Sequence, residues 1–193
     1  MTKTKLFALF VAVMGSSLYL YTYFNPPETW ESLNKKGVLA FHESRYAEAE
    51  KHFIEALKLA EVFPLNDNRR HFILYQLGEI YRIQSKVDEY ELLLKQIIAI
   101  DENRFGSEHP NVALGLNNLA GIYRERGKNE KAEALLKQAL KILEGALGTE
   151  HPLVGNILEH YAYLLHKMGR SVEAEKLKKR YEAIYSAQST ENW

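Results

Sequence analysis

Histidines are the residues of this sequence that first raise the question of a metal site, because neutral imidazole is a common zinc ligand. The chain has seven histidines and no cysteine. None of them stands four residues from another, the spacing at which two imidazoles share one face of a helix. His109 and His151 both belong to a recurrent Glu-His-Pro segment. We therefore expect structural histidines and no metal site.

Motifs for catalysis are missing from the sequence as well. It contains no Gly-x-Ser-x-Gly nucleophile elbow, no phosphate-binding glycine loop and no carboxylate pair at a catalytic spacing. The lack of cysteine excludes thiol catalysis, disulfide bonds and thiolate metal ligands. We predict that the protein is not an enzyme and needs no cofactor, and we keep catalysis only as a remote alternative.

Two neighbouring asparagines, Asn117 and Asn118, are the most informative polar side chains. An amide group both donates and accepts hydrogen bonds, so it can hold the backbone of a peptide without reading its side chains. Their alternative role is a solvated helix surface or a hydrogen bond inside a helical hairpin.

Nucleic acid is excluded as a partner, because 25 basic residues balance 25 acidic ones and no long run of one sign occurs.

A period of about 42 residues is the strongest pattern in the chain. Pro110 recurs as Pro152, Gly127 recurs as Gly169, and two weaker copies precede them, near residues 29 and 68. Within each copy, apolar residues recur at spacings of three and four with a break near the middle, which indicates two amphipathic helices. One hairpin of this kind cannot bury its apolar stripe, so neighbouring hairpins must stack.

Glycine and proline mark the ends of the predicted helices. Gly127 can end one helix in the left-handed conformation, and Pro110 and Pro152 can begin others where the missing amide donor is harmless. We predict helices near residues 29–43, 46–62, 68–84, 87–101, 110–126, 129–146, 152–168 and 171–186.

The first 24 residues have a different composition from the rest of the chain. Leu6 to Phe24 form an uncharged stretch of 19 residues, close to the ~20 that a helix needs to cross a bilayer. Lys3 and Lys5 precede it, and aromatic residues gather at its far end. We predict a signal-anchor over 1–24, with a transmembrane helix at 5–24 in the lipid bilayer, a cytoplasmic N-terminus and a linker over 25–28.

A cleaved signal peptide is the alternative for this segment. The most apolar part, Leu6 to Met14, is short and is followed by the small residues Gly15, Ser16 and Ser17. Both interpretations place the remainder of the chain outside the cytoplasm, on the periplasmic side of the inner membrane if the source is bacterial. They differ in whether the mature protein is a single-pass membrane protein or a secreted, soluble one.

The repeat pattern resembles the tetratricopeptide repeat (TPR), in particular the 42-residue variety of kinesin light chains. The resemblance rests on the following residues: Leu116–Ala120, Tyr123, Gly127–Lys128, Ala132–Glu133, Ala139–Leu140 and Leu147–Pro152. It implies an all-α fold, a right-handed TPR-like α-solenoid of about four helical hairpins preceded by one transmembrane helix. The implied repeats cover 29–62, 68–102, 110–146 and 152–186 within a domain at 29–187, and 188–193 form a tail.

The resemblance also implies a concave groove that binds a partner protein, either an extended peptide or a helix. The fifth, ninth and twelfth positions of each first helix would face this groove. They are Asn34, Val38 and Phe41; Tyr75, Glu79 and Arg82; Asn117, Gly121 and Arg124; and Glu159, Tyr163 and His166, with Asn118 beside Asn117. Val38, Glu79 and Gly121 occupy three ninth positions, which argues against the clamp for a terminal carboxylate that some relatives have.

Two further expectations concern helix contacts. Small residues should let paired helices approach closely, as at Ala120 with Ala132, whereas the second repeat sets Tyr90 opposite Gly78. The last helix has a charged face that could cap the array and an apolar strip that would favour a homodimer.

The sequence as a whole predicts a membrane-anchored scaffold or adaptor that helps to assemble an envelope complex.

Overall fold

The structure is a computed structural model that describes residues 28–64 and 67–190, with only the backbone of 189 and 190. The expected membrane helix at 5–24, most of the linker and the last three residues of the tail lie outside the described residues. Within the described ranges the chain forms eight α-helices and no strand. No helix among these residues is both long enough and apolar enough to traverse a bilayer.

The chain divides into two compact units, Met1–Leu59 and Ala60–Trp193. The described part of unit 1 is one hairpin of helices α1 (Trp30–His42) and α2 (Tyr46–Leu59). Thr29 caps α1, because its hydroxyl oxygen accepts the backbone N–H of Ser32 at 3.1 Å. Gly37 allows the two helices to approach, since a Cβ there would stand 2.8 Å from the ring of Phe53.

Unit 2 contains three stacked hairpins. After a short 3₁₀ helix at Ala60–Val62, its helices are α3 (Asn68–Ile83), α4 (Val87–Phe105), α5 (Pro110–Glu125), α6 (Asn129–Leu147), α7 (Pro152–Lys167) and α8 (Ser171–Thr190). Consecutive helices pair as α3–α4, α5–α6 and α7–α8, and the hairpins join through contacts of α4 with α5 and of α6 with α7. The right-handed twist expected for the whole array stays a prediction.

All eight predicted helices are confirmed, and their boundaries differ from the predicted ones mainly at the ends of α4 and α8. The prediction ended α4 near residue 101, whereas the helix continues to Phe105 and ends at Gly106, whose backbone N–H donates to the carbonyl of Glu102. The buried face of α4 extends to Asp101, which is completely buried. The last helix likewise reaches Thr190.

One apolar core joins the hairpins of unit 2 from α4 to α8. Its buried members include Leu94, Ile98, Val112, Leu116, Leu136, Leu143, Ile157, Leu164 and Ile184. Because these side chains come from all three hairpins, each hairpin covers the apolar stripe of its neighbour, as the repeat pattern predicted. The expected contact of Tyr90 with Gly78 is also present, with ring atoms 3.4 Å from the position of a Cβ on Gly78.

Two of the histidines cap helices, which confirms a structural role for them. Nδ1 of His109 accepts the backbone N–H of Asn111 at 3.2 Å, and Nδ1 of His151 accepts that of Leu153 at 3.1 Å. Each histidine is followed by a proline in the first turn of its helix. The recurrent Glu-His-Pro segment is therefore a device for starting α5 and α7.

The turns after the first helices require a left-handed residue. Gly127 and Gly169 supply it after α5 and α7, with φ of 70° and 79°. Ser44 and Ser85 occupy the corresponding turns after α1 and α3, with φ of 59° and 56°. A serine there holds a conformation that costs a non-glycine residue about 1–2 kcal/mol.

We expect Ser85→Gly to raise the free energy of unfolding by about 0.5–1 kcal/mol, because glycine adopts the left-handed turn without strain. The gain is limited because glycine also increases the conformational entropy of the unfolded chain. Gly127→Ser is the matched reverse change and should lower the free energy of unfolding by a similar amount. Urea unfolding of the full-length protein, followed by circular dichroism, measures both. A destabilised Ser85→Gly variant would show that the serine makes a compensating contact.

Candidate functional site

A pocket of about 310 Å³ in unit 2 brings several of the predicted groove residues together. Residues of α5 form most of its wall, with contributions from the end of α3, the start of α4, Leu136 of α6 and His160 of α7. The polar and aromatic lining residues are Tyr81, Arg82, Ser85, Tyr90, Asn117, Asn118, Arg124, Glu125 and His160. Of the predicted groove residues, Arg82, Asn117, Asn118, Gly121 and Arg124 lie at this pocket.

Asn117 is held in place by a residue that the sequence analysis did not select. Its side chain is 7% exposed, and its Oδ1 lies 2.8 Å from Nδ1 of His160 on the next hairpin. Burial and the nearby Arg124 guanidinium lower the pKa of His160, which favours the neutral ring. In the tautomer with hydrogen on Nδ1, the ring donates to Oδ1 and the Asn117 amide nitrogen keeps two hydrogens for a ligand.

Gly121 leaves the surface next to Asn117 uncovered. It lies one turn further along α5, and no atom stands within 4 Å of the position that a Cβ would take. The helix backbone is therefore accessible to a ligand at this point. A larger side chain at position 121 would occupy the pocket without touching the core.

Two arginines flank the pocket, and both are oriented by neighbouring side chains. Arg82 forms an exposed ion pair with Glu79 on the same helix, with Nη2 2.7 Å from the carboxylate. The guanidinium of Arg124 lies over the ring of Tyr163 at 5.0 Å, a cation–π contact between α5 and α7. Arg124 and Tyr163 thus place a cation against an aromatic ring beside the pocket.

Tyr75 lies on α3 but does not line this pocket. Its hydroxyl donates a long hydrogen bond of 3.5 Å to Oδ2 of Asp101, and its ring meets the ring of His71 edge-on at 4.6 Å. Burial and the Asp101 carboxylate raise the pKa of Tyr75 to about 12. His71 approaches the other oxygen of Asp101 at 2.7 Å. This polar cluster was not predicted, because Asp101 stood at the end of the predicted helix.

The predicted residues of the last repeat line a second pocket, of about 470 Å³, formed by α7 and α8. Glu159, Tyr163 and His166 all belong to its wall. The Tyr163 side chain is 59% exposed. The hydroxyl of Tyr185 donates to the Glu159 carboxylate at 3.2 Å.

Asn34 and Phe41 belong to unit 1. Asn34 is half-buried on α1, and its Oδ1 has no hydrogen-bond partner among the described residues. The ring of Phe41 meets the ring of Tyr46 edge-on at 5.7 Å, across the turn between α1 and α2.

A buried carboxylate joins the second and third hairpins of unit 2. Glu133 on α6 is 8% exposed and accepts the hydroxyl of Tyr161 at 2.8 Å and a guanidinium N–H of Arg170 at 2.7 Å. The ammonium of Lys137 lies 2.7 Å away on the same helix. Burial raises the pKa of Glu133, but the hydrogen bonds from Lys137, Arg170 and Tyr161 outweigh it and lower the pKa to about 2.

A similar arrangement occurs one repeat earlier, although its tyrosine and arginine come from different positions of the repeat. Glu91 on α4 accepts the hydroxyl of Tyr123 at 3.2 Å, and it pairs with Arg126 of the next hairpin and with Lys95 of its own helix. The hydrogen bond from Lys95 lowers the pKa of Glu91, and that from Tyr123 acts in the same direction. We call the set of contacts around each of these two carboxylates a clasp. The 42-residue spacing of Glu91 and Glu133 is a sequence signal that could have revealed both clasps.

The part of the chain that the structure describes contains no group of three or more histidine, aspartate or glutamate side chains placed to hold a metal ion. The polar groups described above instead connect helices or line the two pockets. Their arrangement offers hydrogen-bond donors and cations next to accessible helix surface, which suits the binding of a polypeptide.

The comparisons with known proteins agree with this architecture. The family model for the tetratricopeptide repeat matches residues 69–145 and 111–187, together more than half of the chain. No curated protein matches the sequence.

Several solved structures share the fold at low sequence identity. BtubC (BKLC) from P. vanneervenii has a TM-score of 0.73 and 19% identity, covering 90% of this chain and 73% of that one. A putative kinesin light chain from Podosopora anserina with nearly identical TPR-like repeats has a TM-score of 0.65 and 23% identity, over 81% of this chain and 75% of that one. MamA from Desulfovibrio magneticus RS-1 has a TM-score of 0.63 and 14% identity, over 87% and 81%. The chain belongs to the tetratricopeptide repeat family.

Proposed function

We propose that this protein is an interaction scaffold that binds a peptide segment of a partner protein in the pocket around Asn117 and Gly121. The observation that carries the proposal is a buried amide, fixed by His160, beside an uncovered turn of helix. A donor that is already immobilised loses little further entropy when a ligand binds. The TPR fold, which suggests a protein–protein interaction scaffold, supports the same conclusion.

The geometry indicates how such a segment would bind. A backbone carbonyl of the peptide would accept the amide hydrogens of Asn117, and a peptide side chain would fill the space over Gly121. Arg82 and Arg124 stand on either side, where each can pair with an acidic or amide group of the ligand. Asn118, which is exposed, offers a second amide at the rim.

The proposed recognition can be tested with a random-peptide phage library selected on the full-length protein in detergent. We expect Arg124→Glu to weaken binding of the selected peptide about 10-fold, because the change removes a cation at the pocket and introduces a repulsive charge. Lys141→Glu, an exposed change on α6 outside the pocket, is the control and should leave affinity unchanged.

Fluorescence anisotropy measures the affinities, and circular dichroism measures the folding of each variant. Equal affinity of wild type and Arg124→Glu would place the peptide elsewhere. A matching loss of helix content would show that Arg124 serves the fold.

We further propose that residues 5–24 anchor the chain in a bilayer, with the repeats on the extracytoplasmic side, where the scaffold would help to assemble an envelope complex. The support is the uncharged stretch after Lys3 and Lys5. Small residues at 15–17 favour the alternative, a cleaved and secreted adaptor.

Intact mass spectrometry of the protein isolated from all fractions of its native host separates these two forms. The anchored form should keep its full length. Loss of roughly 15 to 25 N-terminal residues would contradict anchoring and support the secreted adaptor.

A further inference from the structure

The clasps at Glu91 and Glu133 have a third counterpart in the sequence. Each clasp lies on the second helix of a hairpin and receives a tyrosine hydroxyl and a guanidinium from residues of the next hairpin. Glu175 on α8 stands at the same repeat spacing, and Lys179 follows it by four residues, as Lys95 follows Glu91 and Lys137 follows Glu133. The last hairpin thus repeats the acceptor half of the clasp.

The donor half is missing at this position. Glu175 is exposed and has no ion-pair partner among residues 28–64 and 67–190. Its counterpart Glu133 is 8% exposed, because α7 and Arg170 cover it. The difference follows from position in the array, since no described helix packs after α8.

An open slot marks the place where such a helix would lie. The pocket of about 470 Å³ has Ala162 and Tyr163 of α7 on one side and Ala174, Glu175 and Lys178 of α8 on the other. In the preceding hairpin, the residues corresponding to these three of α8 are all buried, as Ala132, Glu133 and Leu136. We name the surface formed by these five residues of α7 and α8 the terminal slot.

We propose that the terminal slot binds an α-helix of a partner protein that supplies a tyrosine hydroxyl and an arginine guanidinium to Glu175. The bound helix would dock as the first helix of a further repeat, continuing the interface that α5 forms with α4 and α7 forms with α6. Tyr123 and Arg126 show that residues three apart can supply both groups to one carboxylate. This site is separate from the peptide pocket around Asn117.

The groups that α1 offers favour a partner helix over the first helix of a second copy. Aligned with Tyr123 and Arg126, a second copy would set Ala40 and Glu43 towards Glu175, and Glu43 would be repulsive. Aligned with Tyr161 and Arg170, it would set Lys36 and Arg45 there without a tyrosine, and Arg45 already pairs with Glu43 and Glu48. Lys178 stands where the preceding hairpin has the apolar Leu136. The empty slot is therefore hydrated, which favours a partner that binds reversibly.

A labelled peptide with the sequence of residues 110–126 is a suitable probe, because it contains the Tyr123 and Arg126 pair. We expect it to bind the full-length protein in detergent saturably, measured by fluorescence anisotropy. Glu175→Gln should weaken this binding at least about 5-fold, since a charge-assisted hydrogen bond is lost. A peptide with the change Arg126→Ala should bind the wild type as weakly as it binds Glu175→Gln, because it lacks the guanidinium that would pair with Glu175.

Two control variants make the test specific. Glu130→Gln, which changes an exposed carboxylate of α6 outside the slot, should leave the affinity unchanged, and so should Gly121→Leu in the peptide pocket. Absence of saturable binding, or equal affinity for wild type and Glu175→Gln, would overturn the proposal. Loss of binding in Gly121→Leu would show that the peptide binds in the pocket around Asn117. A dimer that depends on Glu175, measured by sedimentation, would show that the slot binds a second copy. Either result contradicts the binding of a partner helix in the terminal slot.

Discussion

Gly115→Leu is expected to lower the free energy of unfolding by about 3 kcal/mol, the upper range for overpacking a core. Gly115 is buried on α5, and a Cβ there would stand 2.6 Å from Cγ1 of Ile98 on α4. Ile98 is itself 8% exposed and belongs to the shared core, so it has little room to move. The clash would separate α4 from α5, which is the contact that joins the first two hairpins of unit 2.

A second glycine provides the matched control. Gly145 is exposed on α6, and no atom lies within 4 Å of its Cβ position. Gly145→Leu should therefore leave the protein equally stable or more stable by up to about 1 kcal/mol, because leucine has the higher helix propensity. Urea unfolding followed by circular dichroism measures both variants. Equal stability of the two would contradict the tight contact of α4 with α5.

Glu133→Gln is expected to lower the free energy of unfolding by about 2 kcal/mol at neutral pH, because two cations and a hydroxyl lose their charged acceptor. This loss of unfolding free energy is smaller than the lowered pKa of Glu133 alone would imply. The reason is that the Lys137 side chain is 59% exposed, so solvent screens its ion pair with Glu133. Glu182→Gln is the control. That carboxylate is 55% exposed and 3.9 Å from Lys178, so the change should cost less than about 0.5 kcal/mol.

The pH dependence gives an independent check of the Glu133 clasp. The folded protein lowers the pKa of Glu133 to about 2 from an ordinary value of 4.5. A lowered carboxyl pKa stabilises the folded state fully above the ordinary value, and the stabilisation is lost as the pH falls towards the folded value. The stability difference between wild type and Glu133→Gln should therefore shrink between about pH 4.5 and 2. A difference that stays constant across this range would show that Glu133 contributes through packing alone.

Much of the architecture could be predicted because the sequence records it locally. Pro110 and Pro152 mark helix starts, and Gly127 and Gly169 mark left-handed turns, so the boundaries of α5 and α7 follow from the sequence. The stacking of hairpins followed from apolar stripes that a single hairpin cannot bury.

The polar contacts between hairpins could not be predicted in the same way. The clasp at Glu133 needs groups 28 and 37 residues away, and no local pattern assigns Tyr161 or Arg170 to it. His160 reaches Asn117 over 43 residues for the same reason. α4 is longer than predicted, and the pattern of apolar residues does not mark the buried Asp101 near its end. Sequence patterns therefore identified the helices and their faces, whereas side-chain partners depend on how the hairpins stack.

The clasps also bear on the proposed function. Glu91 and Glu133 tie each hairpin to the next, and the shared core runs through the same contacts. A stack held in this way presents Asn117 and Gly121 on a rigid helix, in a fixed relation to His160 of the neighbouring hairpin. Binding then requires little reorganisation of the scaffold, which favours affinity.

Binding of a library-selected peptide to Gly121→Leu tests the proposed pocket most directly. Because no side chain or neighbouring helix lies within 4 Å of the Cβ position at Gly121, leucine there should leave the melting temperature unchanged or slightly higher while it fills the pocket. We predict a dissociation constant about 100-fold higher than that of the wild type, the loss expected when a central contact region is blocked. An unchanged dissociation constant in the folded variant would contradict peptide binding at this pocket.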